Sequence, residues 1–547
     1  MKHEKIKATI ALAALCTFGA CTSNYLEINS NPYEVDKEQM AAKDYAIAAG
    51  LSGMFGAVVS TDVNTAQFTD CLLGGTQGGY YADANGGWTN TISKYNPTDD
   101  WTRVFMYSDK IIPQFYNNMS SVEGISDNPM VLAICKIVKV CVLNRVTDAY
   151  GPIPYSEIGT SGKIQVAYDD QSQVYSQMFD ELDEAIAMLD ENIGMSITPT
   201  ADKIFDGTAV KWCRFANSMK LRLAMRVVYT DFRSSNGLTA QQLGEQAVSH
   251  PVGVMQSNDD NAKLAASAFG KDGNPLYTAC MYNTPNGSKT GGDSHVAADI
   301  ICYMNGFDDP RREKYFRRAQ FTGESAPEYV GMRRGIAIPS LDKVGLLYSG
   351  VNFVDGMQTP VQWMNAAEVA FLKAEAAGVF NWNMGGDART FYEQGVRLSF
   401  AQWGVAGVDE YLAGTTLPET YMDPNGGANS YSTQLSQLGV AWNDGASKEE
   451  MQERIITQKW IANFNLGNEA WADYRRTGYP HLIPAMESAV GNNSQGIRNL
   501  TLGARRMPYP AEEVTNNPEN YAKAVEMLGG PDNMATRMWW DCNPAVK

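Results

Sequence analysis

The stretch GGTQGGYYADANGGW, residues 74–88, concentrates side chains that could hold a ligand. Its glycines predict a loop, because glycine loses more backbone freedom on folding than any other residue. Aromatic rings on a loop offer flat, rigid platforms to the apolar face of a ligand, and the neighbouring carboxylate and amides could bind its polar groups. The candidate ligand-binding residues of this stretch are Tyr80, Tyr81, Asp83, Asn85 and Trp88.

A second candidate stretch is NPLYTACMYNTPNGS, residues 274–288, which offers Tyr277 and Tyr282. For all of these rings the alternative is packing against the scaffold or against a partner protein. Trp363 and Trp460 fall within helical patterns instead, so we expect both of them in the core.

The motifs of the common catalytic sites are missing. The sequence has no HExxH, GxSxG, GxxxxGK[ST] or GxGxxG. His250, His295 and His481 are far apart and have no partner at helical spacing. Two carboxylates that hydrolyse a glycosidic bond could still meet among 61 acidic residues. We therefore expect no catalytic residues, and a surface glycosidase is the least favoured alternative.

The sequence also lacks a clear motif for a metal or cofactor site. The stretches 83–87 and 257–263 contain oxygen ligands of the kind that calcium prefers, but neither has EF-hand spacing. Solvated turns are the favoured interpretation, so we expect no cofactor and no metal, with calcium as an unsupported alternative. The formal net charge of -17 argues against a nucleic-acid partner.

The N-terminus has the pattern of an exported lipoprotein. Residues 1–20 combine three lysines with an apolar run, as secretory signal peptides do. Gly19 and Ala20 precede Cys21, which resembles a bacterial lipobox with Phe18 where leucine is usual. We predict a signal peptide over 1–20 and lipidation of Cys21; the alternative is an ordinary signal peptide cut near Ala20. Export exposes the later cysteines to oxidants, yet seven of them cannot all pair internally, and we expect mostly free, buried thiols.

Helical periodicity dominates the rest of the 547 residues, a length that suits an array of helices. Long helices are predicted at 175–192, 207–228, 359–380 and 449–466, with weaker ones at 41–55, 101–117 and 129–146. We expect Asp169 or Asp170 to cap the first of these helices and Asp206 the second. No apolar run after the N-terminus is long enough to predict a membrane-spanning helix.

Long segments rich in glycine, asparagine and proline separate the helices, notably 72–98, 255–355 and 404–447. Loops of this length are usually functional or disordered, and their aromatic residues argue against disorder. The sequence therefore predicts a mostly α fold with a loop-rich face, in a single mature domain over residues 21–547.

Six segments, taken together, resemble the SusD/RagB family of outer-membrane lipoproteins, and most closely its SusD-like branch. They occur in family order and cover nearly the whole mature chain. The segments are YLEINSNPYEV (25–35), VTDAYGPIPYSE (146–157), FDDPRREKYF (307–316), VQWMNAAEVAFLKAEAA (361–377), RIITQKWIANFNLGNEAWADYRRTGYP (454–480), and RMPYPAEEVTNNPENYAKAV (506–525) followed by RMWWD (537–541).

The resemblance implies four tetratricopeptide-like helix pairs beneath a loop-rich ligand face. It also implies a lipid-anchored protein on the outside of the outer membrane, which caps a SusC-like TonB-dependent transporter. Such a protein binds a glycan, or in some relatives a peptide, delivers it to the transporter and performs no chemistry. The stretch TSNYLE after Cys21 is less acidic than the family's export signal. A lid with little ligand affinity of its own is a further alternative.

The resemblance gives the aromatic loops a specific interpretation. A sugar ring has an apolar face of C–H bonds and a polar rim, so an indole or phenol ring can stack on it. Asp83 and Asn85 could then bind the hydroxyl groups, and the glycines would let the ligand approach the backbone. The identity of the ligand is not readable from these residues.

Overall fold

The computed structural model describes residues 43–84, 91–159, 165–281, 292–337, 347–486 and 495–547. Helices dominate these residues, and strands are short. The α-helices, numbered α1 to α18 in chain order, span Lys43–Val58, Val63–Ala66, Asp99–Tyr107, Ile112–Glu123, Pro129–Tyr150, Gln171–Glu191, Ala209–Arg226, Ala240–Ser249, Pro275–Met281, Ala298–Gly306, Arg312–Tyr315, Ala366–Gly378, Ala388–Trp403, Val408–Leu412, Lys448–Ala462, Gly467–Thr477, Ala511–Asn516 and Pro518–Leu528. Strands β1 to β4 span Tyr81–Asp83, Ala262–Leu264, Ser294–Val296 and Val361–Met364.

Helices pack as pairs along the chain. Helix α1 packs on α4, α5 on α6, α7 on α8, and α12 on α13, and contacts of α6 with α7 and of α7 with α12 join successive pairs. The buried apolar side chains of these helices belong to one hydrophobic cluster. The predicted mostly α, tetratricopeptide-like scaffold is confirmed.

Helix α6 shows why the sequence pattern succeeds for the scaffold. Phe179, Leu182 and Leu189 are fully buried on one face, as a 3.6-residue period requires. Asp170 accepts a hydrogen bond from the backbone N–H of Ser172 at 2.9 Å, which confirms the predicted cap. A one-sided apolar stripe and a capping residue are both local signals, so the sequence contains them.

The predicted cap of α7 is wrong. Its N-cap residue is Thr208, and Asp206 instead adopts a left-handed conformation with φ of 55°. Asp202 organises this turn, since it accepts hydrogen bonds from the backbone N–H of Gly207 at 2.9 Å and from Trp212 Nε1 at 2.8 Å. Asp202 therefore stabilises the turn before α7, while the N-cap residue Thr208 makes no side-chain capping hydrogen bond.

The helix predicted over 359–380 is also corrected, because its first part is strand β4. Val361 and Trp363 alternate inward from this strand, which pairs antiparallel with β2. Asn365 then caps α12 by accepting the N–H of Glu368 at 2.7 Å. Trp363 is thus a core residue on a strand and not on a helix, whereas Trp460 lies in α15 and is buried as expected.

The remaining helix predictions hold with one adjustment. The pattern over 101–117 is two helices, α3 and α4, because the chain turns at Ser108 and restarts at Ile112 with Pro113 in the first turn. The predicted loop segments carry short elements of their own. Strand β1, from the glycine-rich stretch, pairs antiparallel with β3, from the 255–355 segment.

One run among the described residues, Asp44–Gly75, is long and apolar enough to cross a membrane by length and composition. More than half of its most apolar window, 56%, is buried inside the fold, and the chain turns between Val58 and Val63. These features are those of core helices. The seven cysteines in the described residues are free, and all but Cys542 are buried, which confirms the predicted thiols.

A network of buried ion pairs ties α7, α12, α15 and α16 together, and we call it the charged hub. Arg222 donates to both carboxylate oxygens of Glu368, at 2.7 and 2.8 Å. Lys459 lies 2.8 Å from a carboxylate oxygen of Asp473 and 3.1 Å from one of Glu469. Burial raises the pKa of Glu469, but Arg226, Lys459 and Arg222 together hold it well below its ordinary value. The members of the hub are Arg222, Arg226, Glu368, Lys459, Glu469 and Asp473.

The basic dipeptides Arg475–Arg476 and Arg311–Arg312 also make contacts that stabilise the fold. Arg476 lies 3.1 Å from Asp473, three residues earlier in the chain, and also forms two hydrogen bonds to Glu375. Arg475 instead donates to the backbone carbonyl of Asp148 at 2.6 Å, and burial lowers its pKa to about 9. The second basic dipeptide is Arg311–Arg312. Its buried Arg311 pairs with Asp309, two residues earlier in the chain.

Candidate functional site

The structure corrects the predicted roles of Tyr80 and Tyr81, because both rings are fully buried. Tyr80 stacks on Trp460 with ring centroids 5.5 Å apart, and its hydroxyl donates to the backbone carbonyl of the same residue at 2.5 Å. The hydroxyl of Tyr81 donates to the side chain of Asn465. These rings anchor the glycine-rich stretch to α15 and the turn after it, so neither offers a face to a ligand.

Asp83 is likewise a core residue and not a ligand-binding one. It is 3% exposed and accepts hydrogen bonds from the hydroxyl and the backbone N–H of Ser93. Burial raises the pKa of its carboxyl group. The carboxylate therefore ties the end of β1 to the 3₁₀ turn Ile92–Lys94, in which Ser93 lies.

Gly75 and Gly78 of this stretch bring backbone close to backbone, and not to a ligand as expected. A Cβ atom on Gly78 would lie 2.8 Å from the carbonyl oxygen of Gly467, and one on Gly467 would lie 2.2 Å from the nitrogen of Gly75. Any side chain here would separate the start of α16 from the glycine-rich stretch. The glycine requirement is therefore one of packing.

The other predicted residues divide into two groups. Asn85, Trp88, Tyr282 and the lipidation candidate Cys21 lie outside the described residues. Tyr277 is half-buried in α9, with its ring edge-on to Phe353 at 5.6 Å. Its helix begins at a cavity, which is the strongest candidate site in the described part of the chain.

The cavity has a volume of about 230 Å³ and lies between β4, the start of α9, the end of α13 and the turn from α15 to α16. Such a space is smaller than the roughly 300–1,000 Å³ of pockets for drug-sized ligands, so it suits one sugar residue. Its lining consists of Lys263, Asn274, Leu276, Lys314, Phe353, Val354, Asp355, Thr359, Pro360, Val361, Gln362, Gln402, Trp403, Phe464, Asn465 and Leu466.

Aromatic rings contribute to the walls. Trp403, the last residue of α13, is half-buried and packs edge-on to Tyr315 at 4.8 Å. Phe464 stacks on the other side of Tyr315, also at 4.8 Å. Asn465 then turns the chain with φ of 79°, in a left-handed conformation that asparagine tolerates better than most residues. The turn that ends α15 therefore sets both a ring and an amide at the cavity.

Two buried polar atoms of lining residues have no hydrogen-bond partner, Thr359 Oγ1 and Gln362 Nε2, whereas the indole N–H of Trp403 interacts with the hydroxyl of Tyr315. Leaving a buried donor or acceptor unpaired costs about 1–3 kcal/mol.

The charged groups of the lining are few. Lys263 and Asp355 are exposed, and Lys314 is half-buried. Among the lining residues Asp355 is the one carboxylate, whereas glycosidic hydrolysis uses two. The arrangement can stack on and hydrogen-bond a polar ligand, but it lacks the groups for acid–base hydrolysis.

Metal binding has no support in the ranges that the structure covers, which contain no group of three or more His, Cys, Asp or Glu residues able to hold an ion. The stretch 257–263 is a single 3₁₀ turn over Asn258–Asp260 that leads into β2. It contains the turn favoured from sequence, but Asp260 and Asn261 are buried and not solvated. Asp260 accepts the backbone N–H groups of Gln256 and Ser257 and pairs with Arg214 at 3.0 Å. Its carboxylate is thus committed to the fold.

Sequence analysis missed most of this cavity. Trp403 sits at the end of a helix, Gln362 on a strand mistaken for a helix, and Phe464 and Asn465 in a turn between helices. Only the 274–288 stretch pointed here, through the neighbours of Tyr277. Alternation of buried and polar residues at 361–364 was the signal that could have placed Gln362 opposite the core.

Comparison with known proteins identifies the scaffold. A family model described as SusD-like, SusD and RagB outer membrane lipoprotein, matches residues 27–541. The chain belongs to this family. The SusD-like assignment places it among outer-membrane lipoproteins and confirms the resemblance read from the six segments. No curated protein matches the chain.

Solved structures of SusD homologues share the fold. One from Bacteroides uniformis ATCC 8492 is 52% identical, covers 91% of this chain and 100% of its own, and has a TM-score of 0.85. One from Bacteroides ovatus ATCC 8483 is 38% identical, with coverage of 91% and 99% and a TM-score of 0.82. A chitin-binding SusD homologue from Flavobacterium johnsoniae is 35% identical, with coverage of 91% and 99% and a TM-score of 0.81.

Proposed function

We propose that this SusD-like protein binds a glycan or oligosaccharide at the cell surface and delivers it to a SusC-like TonB-dependent transporter, which it caps. A lipid on Cys21, exposed by removal of residues 1–20, anchors it to the outer membrane with its body outside. The protein performs no chemistry. Its role is to raise the local concentration of a nutrient at the mouth of the transporter.

The observation that supports this function is a family match over almost the whole mature chain, with a chitin-binding relative among the similar structures. The cavity adds a physical argument. Its aromatic rings and polar side chains suit a ligand with an apolar face and a hydroxylated rim. Its single carboxylate argues against the glycosidase alternative.

The test is an array of glycans and peptides probed with the soluble form, residues 22–547. Binding to one glycan class is the expected result. Trp88→Ala and Trp403→Ala each remove one candidate platform, and Trp442→Ala is the control, since its indole N–H bonds Asp444 at an exposed position outside the cavity. Circular dichroism verifies that each variant is folded.

The alternatives give different outcomes. Binding of peptides alone would make the protein a peptide-binding member of the family. No binding to any probe, with co-purification of the transporter, would identify a lid with little affinity of its own. Release of shortened products from an oligosaccharide would overturn the proposal in favour of a glycosidase.

A further inference from the structure

Two buried cysteines that are far apart in the chain are neighbours in the fold. Cys71 lies in the π-helix Gln67–Gly75, and Cys280 lies in α9, which packs on that helix. The exposed fractions of the two side chains are 0% and 3%. The two thiols interact directly, and this interaction, together with burial, raises the pKa of the Cys71 thiol well above its ordinary value. The fold therefore sets two thiol groups side by side in its interior.

Tyr81 lies beside both cysteines. Burial raises the pKa of its phenol, and the neighbouring Cys280 and Cys71 raise it further. Tyr81 belongs to β1, which pairs with β3, and its partner there is Val296. Cys71 comes shortly before the first candidate ligand stretch, 74–88, and Cys280 lies within the second, 274–288. The two thiols thus meet where these two stretches adjoin.

Other cysteines of the described ranges contact groups of a different kind. The thiol of Cys135 lies 4.0 Å from the sulfur atom of Met54, and that of Cys542 lies 3.3 Å from the carbonyl oxygen of Tyr229. Neither contact can become a disulfide, because a thioether and a carbonyl group have no thiol to oxidise. The contact between two thiols can, and a protein outside the cytoplasm meets oxidants.

We propose that Cys71 and Cys280 form a disulfide bond in the exported protein. The bond ties the helix that precedes the glycine-rich stretch to α9, whose residue Leu276 lines the cavity. The other five of the seven described cysteines remain thiols. The inference goes beyond ligand binding and rests only on the export that the proposed function includes.

The oxidant in this reaction is a disulfide carried by a thiol-oxidising protein of the cell envelope. The thiolate of one cysteine attacks that disulfide, releases one thiol of the oxidant and forms a mixed disulfide. The thiolate of the second cysteine then attacks the mixed disulfide and releases the other thiol. The cysteine pair loses two protons and two electrons, and the oxidant gains them. Since burial suppresses thiolate formation, the exchange takes place while the chain folds, and the finished fold then shields the bond.

The test uses the full chain, residues 1–547, produced with its own leader and recovered from the membrane fraction. The protein is denatured with N-ethylmaleimide and without reductant, so that every free thiol is capped, and is then digested for mass spectrometry. We expect two peptides joined through Cys71 and Cys280, lighter by two hydrogen atoms than the reduced peptides together. Recovery of both peptides with capped thiols would overturn the proposal.

Two variants show which thiols take part. Cys280→Ala should abolish the joined peptides and leave Cys71 capped. The matched control is Cys135→Ala, which removes another buried thiol and should keep the joined peptides. A disulfide from Cys71 to a different cysteine in the wild-type protein would assign the bond elsewhere and overturn the proposal.

The bond should also stabilise the fold, because closing a long loop restricts the unfolded chain. A reductant should therefore lower the Tm of the wild-type protein and of Cys135→Ala, but not that of Cys280→Ala.

These results are independent of ligand binding. Failure on the glycan array would remove the proposed function and leave a bond between Cys71 and Cys280 intact. Absence of the chain from the membrane fraction would contradict the lipid anchor, while the capping of Cys71 and Cys280 in the fraction that holds the chain would still decide the bond.

Discussion

The charged hub and the lining of the cavity are two sets of residues that both include buried polar groups. In the hub, each carboxylate faces a guanidinium or ammonium group, as Glu368 faces Arg222. In the cavity wall, the amide nitrogen of Gln362 has no partner. Since a buried polar group is costly unless it is hydrogen-bonded, the paired carboxylates of the hub stabilise the scaffold, whereas the unpaired amide of Gln362 costs stability.

The aromatic residues of the two regions also differ in their partners. The indole N–H of Trp460 donates to the carbonyl of Gly78 at 2.7 Å, whereas that of Trp403 interacts with the hydroxyl of Tyr315. Tyr80 and Tyr81 are satisfied in the same manner as Trp460. An aromatic residue in a glycine-rich stretch is therefore no guide to ligand binding unless its polar atom is left free.

The largest expected effect comes from breaking the hub. Arg222→Met leaves the carboxylate of Glu368 buried without its two-point partner, and we expect a loss of about 3–5 kcal/mol in the free energy of unfolding, measured with urea. The control is Arg389→Met, which breaks the exposed pair with Glu393 and should cause no measurable change. Equal losses in the two variants would refute the claim that burial makes the hub structural.

A somewhat smaller effect is expected from His295, a buried polar residue that belongs to neither set. Burial lowers its pKa to about 4, from an ordinary value near 6.5. The unfolded chain takes up a proton below pH 6.5 while the folded protein does not. The stability contributed by the neutral ring is therefore complete above pH 6.5 and is lost as the pH falls towards 4, by about 3 kcal/mol.

His295→Phe should remove this slope from the plot of unfolding free energy against pH, measured by urea denaturation between pH 4 and 7. His481→Phe, at an exposed position, should keep it. If wild type and His295→Phe lose stability in parallel as the pH falls, the acid sensitivity has another source.

The smallest effect is the most direct test of the comparison. Trp460→Phe leaves the carbonyl of Gly78 without its donor and should cost about 1–3 kcal/mol. Trp403→Phe removes an N–H that interacts with the Tyr315 hydroxyl, but that hydroxyl keeps its own hydrogen bond to the carbonyl of Ile461, so the loss should be smaller. Thermal unfolding of the two variants measures the difference; a comparable loss in Trp403→Phe would show that its contact with Tyr315 contributes as much as the bond to Gly78.

Helices α6, α7 and α15 were predictable to within a few residues, because an apolar stripe and a cap are local patterns. The β4 segment was not, since its four residues lie next to a helix and its pairing with β2 joins residues about a hundred positions apart. Of the candidate site, the sequence pointed to the neighbourhood of Tyr277 but not to Gln362 or Trp403. No local pattern records which buried N–H group lacks an acceptor.

The sequence by itself determined the helical scaffold, the family and the free cysteines. Each of these depends on periodicity, spacing or composition along the chain. Only the tertiary structure decided that Tyr80, Tyr81 and Asp83 are core residues and that the glycines beside them serve backbone packing. It alone also brought Cys71 and Cys280 into contact, because burial and hydrogen bonding depend on segments that meet only when the chain has folded.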